Sequence, residues 1–257
     1  MHRWLSILIL LPGLLAQAND RADKLAVAGV EEFTAAYQAW DGARFSAAAL
    51  LFSQACTNAL GSGTNFYWLG AAQFHLMLQL QTQPSERTKK LAADAAMDAA
   101  LTALNTAVKL NERDAESHAL LGTLYGMKIN DSLLRAVRFG PRVAQHQKKA
   151  LEFGSENPRV RYLLGTCQFH TAKSTADKRE ALTTLLAADK LFVTEAGRPA
   201  GLLEPHWGHG TCLTFIGRTY ELLGERAKAE YYFRQALTQL PIDHFAKEGL
   251  ARVTETK

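Results

Sequence analysis

The sequence predicts an all-α protein, a right-handed superhelical solenoid of about five helix–turn–helix repeats with insertions. Apolar residues recur with the 3.6-residue period of a helix, and no alternating β pattern competes with it. The stretch Leu69–His75 returns as Leu164–His170, ending both times in Gln-Phe-His. The last unit, from Gly210 to Asp243, spaces small and aromatic residues as a helical hairpin would. Helical units repeated in one phase indicate a solenoid.

The N-terminal residues resemble a secretory signal peptide. A positive start at His2 and Arg3 is followed by an apolar run from Trp4 to Leu15 and by Ala16-Gln17-Ala18. The run is shorter than the roughly 20 apolar residues of a membrane-spanning helix. No second apolar stretch of membrane length follows. We therefore expect a signal peptide at residues 1–18, cleavage near Ala18, and a periplasmic or secreted repeat domain at residues 19–257.

Composition and charge are those of an ordinary globular chain. The sequence is 47% hydrophobic and 21% charged, with a net charge of +4. This mild excess argues against a nucleic-acid or anionic-membrane partner. Cys56, Cys167 and Cys212 form an odd set in apolar helical contexts, which predicts small buried thiols. A bridge between Cys167 and Cys212 stays open as an alternative.

The predicted helices follow one another with few interruptions. Five helix pairs are expected in chain order. The first pairs 30–40 with 45–60, and the second pairs 65–80 with a helix that ends near 110. The third pairs 115–127 with a helix after 140, the fourth pairs a helix from 158 with 178–192, and the fifth lies within 210–243. A turn is expected at Asp41-Gly42 and a polar insertion at 81–88. A short extra helix at 132–139 is expected to end before Gly140-Pro141. Glycines and prolines predict an irregular loop from Thr194 to Trp207.

The last unit carries the residues of a known repeat. Its Ile216-Gly217 pair precedes a regular series, namely Tyr220, Gly224, Ala229, Phe233, Ala236 and Pro241. These offsets resemble the tetratricopeptide repeat (TPR) of about 34 residues. The glycine and alanines are small where two helices approach closely, and the proline ends the second helix. Ala100, Leu104 and Ala107 keep the same spacing in an earlier unit.

Two further motifs suggest a narrower resemblance. Asn157-Pro158-Arg159 precedes one repeat, and Pro205-His206-Trp207-Gly208 precedes the last. Both are similar to motifs in a group of functionally uncharacterised exported bacterial TPR proteins. The resemblance covers about residues 95–243, although Ser174–Asp177 stands where that group has a Gly-Gly turn. It implies a fold and an export route, but no activity.

The resemblance also suggests a binding surface, because the first helix of each TPR lines the concave face. The positions carried over as a groove are Tyr37, Trp40, Tyr67, His75, Arg159, Tyr162, His170 and Arg218. Phe33, Phe74 and Phe169 are expected in the core. The tyrosines and Trp40 are expected at the surface, since they combine contact area with a polar group. His75 and His170 are expected at equivalent places on the concave wall.

The favoured interpretation is a periplasmic scaffold or adaptor that binds a protein or peptide segment on this face. No nucleophile elbow, zinc-protease signature or phosphate-binding loop occurs, so we expect neither an enzyme nor a cofactor. One alternative is a solute-binding protein whose 194–207 loop closes over a small ligand. Another is weak metal binding at His206-x-x-His209-x-x-Cys212. Pro205 and Gly208 argue against the helix that this metal site needs.

Overall fold

A computed structural model of the chain describes residues 12–82, 87–130 and 132–255, with side chains from residue 17 onward. These residues form eleven helices and no strand. The helices are α1 (Pro12–Ala39), α2 (Gly42–Asn58), α3 (Gly63–Gln81), α4 (Arg87–Leu110), α5 (Ala115–Ile129), α6 (Leu133–Gly154), α7 (Pro158–Thr171), α8 (Thr175–Ala196), α9 (His209–Leu222), α10 (Arg226–Gln239) and α11 (His244–Thr254). The predicted all-α repeat architecture is confirmed.

Helices α1 to α10 form five antiparallel pairs, each an odd-numbered helix A followed by an even-numbered helix B. Each helix A also contacts the A helix of the next pair, so that the A helices form an inner layer. The B helices lie outside them. Helix α11, which the sequence pattern does not assign, packs on α10 and α9 and closes the C-terminal end of the array.

The Leu-Gly positions mark the closest approach of helix A to helix B. A Cβ atom added to Gly70 would lie 2.4 Å from Leu104, and one added to Gly165 would lie 2.8 Å from Leu185. At Gly217 the same atom would lie 2.8 Å from the Phe233 ring. A larger residue would push the two helices apart, which confirms the predicted reason for glycine at these positions.

Three predicted boundaries were wrong. Helix α1 begins at Pro12 and not near residue 30. Residues 133–154 form one helix, α6, which continues through Pro141 instead of breaking before it. Pro141 lies on the exposed side of α6, so the carbonyl group it leaves without an amide partner can bind water. Helix α8 extends to Ala196, so the irregular segment before α9 begins at Gly197 rather than Thr194.

Some expectations fall partly outside the described residues. Residues 1–11 of the predicted signal peptide and residues 83–86 of the predicted insertion are among these. The described part of the predicted leader, residues 12–18, is helical and continuous with α1. Within the described part of the chain, no helix is both long and apolar enough to cross a membrane.

The candidate site on the concave face

The segment between α8 and α9 folds back over the inner layer. We call residues 197–208 the covering segment. The indole Nε1 of Trp68 in α3 donates to the carbonyl of Leu203 at 3.0 Å. Trp207, only 3% exposed, donates from its own Nε1 to the Tyr67 hydroxyl at 3.1 Å. The concave face of the first two repeats is therefore occupied by the chain's own backbone and an indole ring.

A buried ionic network joins the A helices α3, α5 and α7 and the B helix α8 beneath the covering segment. Arg159 in α7 is 1% exposed, and its Nε donates to Glu116 Oε1 at 2.7 Å. Its two terminal nitrogens donate to the two carboxylate oxygens of Glu195, at 2.8 and 2.6 Å. The hydroxyl of Tyr67 donates to the second oxygen of Glu116. Glu195 thus binds the guanidinium through two hydrogen bonds and Glu116 through one. Burial by itself would lower the pKa of Arg159, but the two carboxylates outweigh this effect and raise it.

The two motifs of the narrower resemblance meet in this network. Asn157 accepts hydrogen bonds from the backbone amides of residues 159 and 160, which caps α7. Its side-chain nitrogen donates to Glu116 at 2.7 Å, beside the bond from Arg159. Trp207 reaches the same carboxylate through Tyr67. The Asn-Pro-Arg and Pro-x-Trp-Gly residues therefore hold the covering segment against the inner layer.

His75 lies in an aromatic cluster that includes Trp207. The ring centroids of His75 and Trp207 are 4.9 Å apart, and Phe33 and Phe45 lie against other sides of the imidazole at 5.1 and 5.7 Å. The Nδ1 atom of His75 is 2.8 Å from the carbonyl of Ala71. Burial lowers the pKa of His75 to about 4, with this hydrogen bond acting in the opposite direction. His75 is therefore a neutral core residue.

Tyr37 connects the first repeat to the last. Its hydroxyl lies 2.7 Å from the Thr211 hydroxyl at the start of α9, across 174 residues of sequence. Burial raises the pKa of Tyr37 to about 12. Tyr162 in α7 is buried, with its ring 6.4 Å from that of Trp207. The inner layer is thus bridged from α1 to α9 around the covering segment.

The C-terminal part of the concave face is more open. Here the guanidinium of Arg218 stacks on Phe169 and Phe215 at 4.9 and 5.2 Å. His170 is exposed and packs edge-on against Phe215. His75 and His170 hold matching places on α3 and α7, but only His170 is reachable from solvent. The two histidines thus hold the expected equivalent places but differ in exposure, because α1 and Trp207 cover His75 and nothing comparable among the described residues covers His170.

An open pocket lies beside Trp40, at the edge of the array between the first two repeats. Its volume is about 620 Å³, and we call it the Trp40 pocket. Its walls are Ala39, Trp40, Asp41, Gly42, Ala43, Ser46, Leu76, Gln79, Leu80 and Ala92. Trp40 holds the left-handed backbone conformation, with φ of 52°, and its Nε1 donates weakly to Thr82 at 3.4 Å. The Oε1 atom of Gln79 is buried without a hydrogen-bond partner.

The candidate metal ligands have separate surroundings. His206 is exposed, whereas His209 pairs with Asp189 at 2.8 Å and Cys212 is buried with its thiol 3.6 Å from the Leu185 carbonyl. Among the described residues, no group of three or more histidine, cysteine, aspartate or glutamate side chains is arranged to hold a metal ion. All three cysteines of the chain are free thiols, so Cys167 and Cys212 are not bridged.

The eight predicted groove residues therefore divide by exposure. Tyr67, His75, Arg159 and Tyr162 are buried, which corrects the expectation that Tyr67 and Tyr162 lie at the surface. The covering segment and the ionic network account for their burial. Tyr37, Trp40 and Arg218 are partly exposed, and His170 is exposed. Sequence patterns did not single out Glu116 and Glu195, because a lone glutamate in a helix normally lies in solvent. A binding role for the eight stays a prediction.

No protein-family model and no curated protein matches the chain. Among solved structures it is similar to TTC0263, a thermophilic TPR protein of Thermus thermophilus, with a TM-score of 0.63 and 17% identity over 90% of this chain and 98% of that one. It is also similar to the APC/C hetero-tetramer Cut9–Hcn1, with a TM-score of 0.60 and 16% identity over 94% of this chain and 39% of that one. At these identities the likeness is one of fold. The chain has the helical-repeat fold of a TPR protein.

Proposed function

We propose that this chain is an exported TPR-type scaffold that binds a protein or peptide segment and anchors it in the Trp40 pocket. The pocket itself is the observation that carries the proposal. It is open to solvent at the edge of the array, and it is large enough for one or two side chains of a bound segment. A partner can enter it without displacing the covering segment, which a ligand of the first two repeats' concave face would have to do.

The chemistry of the pocket wall suits a peptide. Trp40, Leu76 and Leu80 offer an apolar surface for a side chain, and tryptophan is enriched where interfaces gain most of their affinity. The carboxamide of Gln79 can donate to a carbonyl and accept from an amide, the two groups that every peptide bond presents. The Oε1 atom of Gln79 is buried without a partner, so rotation of this side chain into the pocket would let it accept a hydrogen bond from a backbone amide of the bound segment.

Site-specific photo-crosslinking tests this proposal. A photoreactive amino acid at Ser46, in the pocket wall, should capture a defined protein in native cells. The same amino acid at Ala47, exposed on the same helix but outside the wall, should not. Ser46→Trp should fill the pocket and abolish capture from a second reporter at Ala92, and Ala47→Trp should leave it unchanged. Equal capture from Ser46 and Ala47, or capture that survives Ser46→Trp, contradicts the proposal.

A small solute is the second candidate ligand, and the pocket volume favours it. About 620 Å³ falls within the range of roughly 300–1,000 Å³ that small-molecule sites occupy. Native mass spectrometry of protein purified from its own cells would distinguish the two. A solute predicts a defined added mass that Ser46→Trp removes and no crosslinked polypeptide at Ser46.

Export is the other part of the proposal. Side chains 17–21 are exposed or partly exposed, and the first buried side chain of α1 is Ala22. A mature chain that begins at Asn19 would therefore keep every buried side chain described in α1. N-terminal sequencing of the protein from its native cell should find Asn19 or a neighbour within one or two residues. An intact Met1 on that material would overturn this part of the proposal.

A further inference from the structure

The N-terminal half of α6 carries an exposed apolar ridge. Leu133, Leu134 and Val137 are 81%, 84% and 73% exposed, which is far more than bulky aliphatic side chains usually are. With 3.6 residues per turn, Pro141 and Ala144 continue the same face, and both are exposed. We call these five residues the α6 ridge.

The opposite face of α6 packs against the protein, so the ridge is not a consequence of a loosely attached helix. The Phe139 ring stacks on Tyr125 of α5 at 6.0 Å, and Val143 packs against the core. His146, one turn further on, lies 2.8 Å from His118 between the two Nδ1 atoms. Helix α6 therefore has one face for the core and a second apolar face directed to solvent.

Positive charge surrounds this second face. Between Leu133 and Lys149 the sequence has five basic residues and no acidic one, the basic residues being Arg135, Arg138, Arg142, Lys148 and Lys149. The nearest acidic residues along the chain are Asp131 and Glu152. Arg138 and Arg142 lay their guanidinium groups over Phe139 and Tyr125, at 5.2 and 5.3 Å, and no described carboxylate pairs with either. The chain's net charge of +4 conceals this local concentration.

We propose that the α6 ridge docks on the surface of an anionic phospholipid bilayer. Aliphatic side chains inserted among the acyl chains, with arginines and lysines at the phosphate level, are the features of a helix that lies in a membrane interface. The long basic side chains can reach the headgroups while their stems stay in the apolar layer. Insertion would remove three exposed aliphatic side chains from water, and the phosphates would neutralise the basic cluster.

The shape and charge of the ridge favour this occupant over two others. A convex ridge fits a deformable lipid surface without a matching groove, which a protein partner would have to supply. A second copy of the chain would bring two clusters of five positive charges together, and like charges oppose that contact. Because α6 belongs to the outer layer of helices, docking would leave the Trp40 pocket and the concave face accessible. The proposal therefore does not depend on the proposed function.

Vesicle flotation of the mature protein, purified from its native cells, tests the proposal. The protein should float with vesicles of phosphatidylglycerol and phosphatidylcholine in equal parts, and much less with phosphatidylcholine alone. Leu134→Ser combined with Val137→Ser should lower partitioning by about tenfold or more, since two large apolar side chains no longer insert. The matched control is Leu50→Ser with Leu60→Ser, two leucines exposed by 60% and 71% outside α6, which should bind as the parent does.

A charge series tests the electrostatic half separately. Arg138→Glu should reduce binding to the anionic vesicles several-fold, and added salt should weaken binding of the parent. Arg198→Glu, at an exposed position in the covering segment, should have no such effect. All of these residues are exposed, so unchanged helicity and melting temperature should confirm that the variants fold.

Four results would overturn the proposal. They are no flotation with anionic vesicles at low salt, equal flotation with both vesicle types, equal losses in the ridge and control variants, and a dimer that the ridge serines convert to a monomer. The last result would assign the ridge to a second copy of the chain.

Discussion

Arg159 shows how a single buried charge organises the concave face. Moving a guanidinium out of water is costly, and here two carboxylates offset that cost through three charge-assisted hydrogen bonds from Arg159. Because Glu116 lies in α5 and Glu195 in α8, Arg159 also ties the third repeat to the fourth. The residue was predicted from its motif, but as a surface contact. Its burial depends on partners 43 and 36 residues away, which no local pattern reveals.

Replacing Arg159 should therefore be strongly destabilising. Arg159→Met keeps most of the volume but leaves two carboxylates buried without a cation, which costs about 3–5 kcal/mol in comparable cases. Urea denaturation should show this loss at neutral pH. The control is Arg161→Met, two residues further on and only partly buried, where a loss below about 1 kcal/mol is expected. Equal losses for the two variants would contradict a special role for the network.

His75 should make the protein acid-sensitive. Its pKa is about 4 in the folded protein against 6.5 ordinarily, so between these values the unfolded chain binds a proton that the native protein does not. Stability from this group is complete above pH 6.5, falls as the pH drops from about 6.5 to about 4, and changes little below that. The loss should reach at most about 3 kcal/mol. His146, with a pKa also lowered to about 4, adds in the same direction.

The variant His75→Phe separates this contribution from the rest. Phenylalanine can keep the ring contacts with Phe33, Phe45 and Trp207 but cannot take up a proton. Chemical denaturation at pH 7 and pH 4.5 should show a smaller acid loss for His75→Phe than for the parent. His206→Phe, at an exposed position in the covering segment, should leave the pH dependence as it was. An unchanged acid loss in His75→Phe would refute the assignment.

At the scale of elements, local sequence patterns predicted the helices but not the contacts of the covering segment with the inner layer. The Leu-Gly pairs indicated where helix A packs against helix B, because Gly70 and Gly165 contact the second helix of their own hairpin, which is close in sequence. The glycines and prolines between Thr194 and Trp207 predicted an irregular segment, but not the contacts that set its path. That path depends on bonds from Trp207 and Leu203 to α3, at sequence separations of 140 and 135 residues. Closure of this segment over the concave face was expected only as an alternative with a bound ligand, and the sequence did not predict that the segment itself would bury the groove residues.

Pro141 offers a test of how α6 is built. It lies inside a continuous helix and on its exposed side, where proline removes one backbone hydrogen bond and packs against little. Pro141→Ala should restore that bond and stabilise the protein by about 1–3 kcal/mol. Pro158→Ala is the matched control, because Pro158 stands buried at the first turn of α7, where proline suits the helix. Thermal melting should rise for the first variant and fall or stay level for the second. A lower melting temperature for Pro141→Ala would show that the proline is needed in α6.

At the scale of the molecule, the covering segment adds contacts between repeats that are not neighbours. In an ordinary solenoid each repeat contacts only its neighbours, so the repeats can unfold from one end. Here the covering segment leaves the fourth repeat and contacts the second, and Tyr37 of the first repeat meets Thr211 of the fifth. These contacts close the array across its inner face. We expect the first two repeats and the last two to unfold together.

Trp207 is the residue on which this coupling should depend. In the parent, hydrogen exchange in rising urea should show α3 and α9 losing protection at the same denaturant concentration. Trp207→Ala should lower overall stability by about 3–5 kcal/mol, as loss of a buried indole does, and it should also make α3 lose protection before α9. Trp207→Phe, which keeps an aromatic ring but not the bond to Tyr67, should give an intermediate separation. Tyr231→Ala, at an aromatic residue of α10 that is 57% exposed, should leave the two transitions coincident. A Trp207→Ala protein whose α3 and α9 still open together would show that the helix stack alone, without the covering segment, couples the two ends.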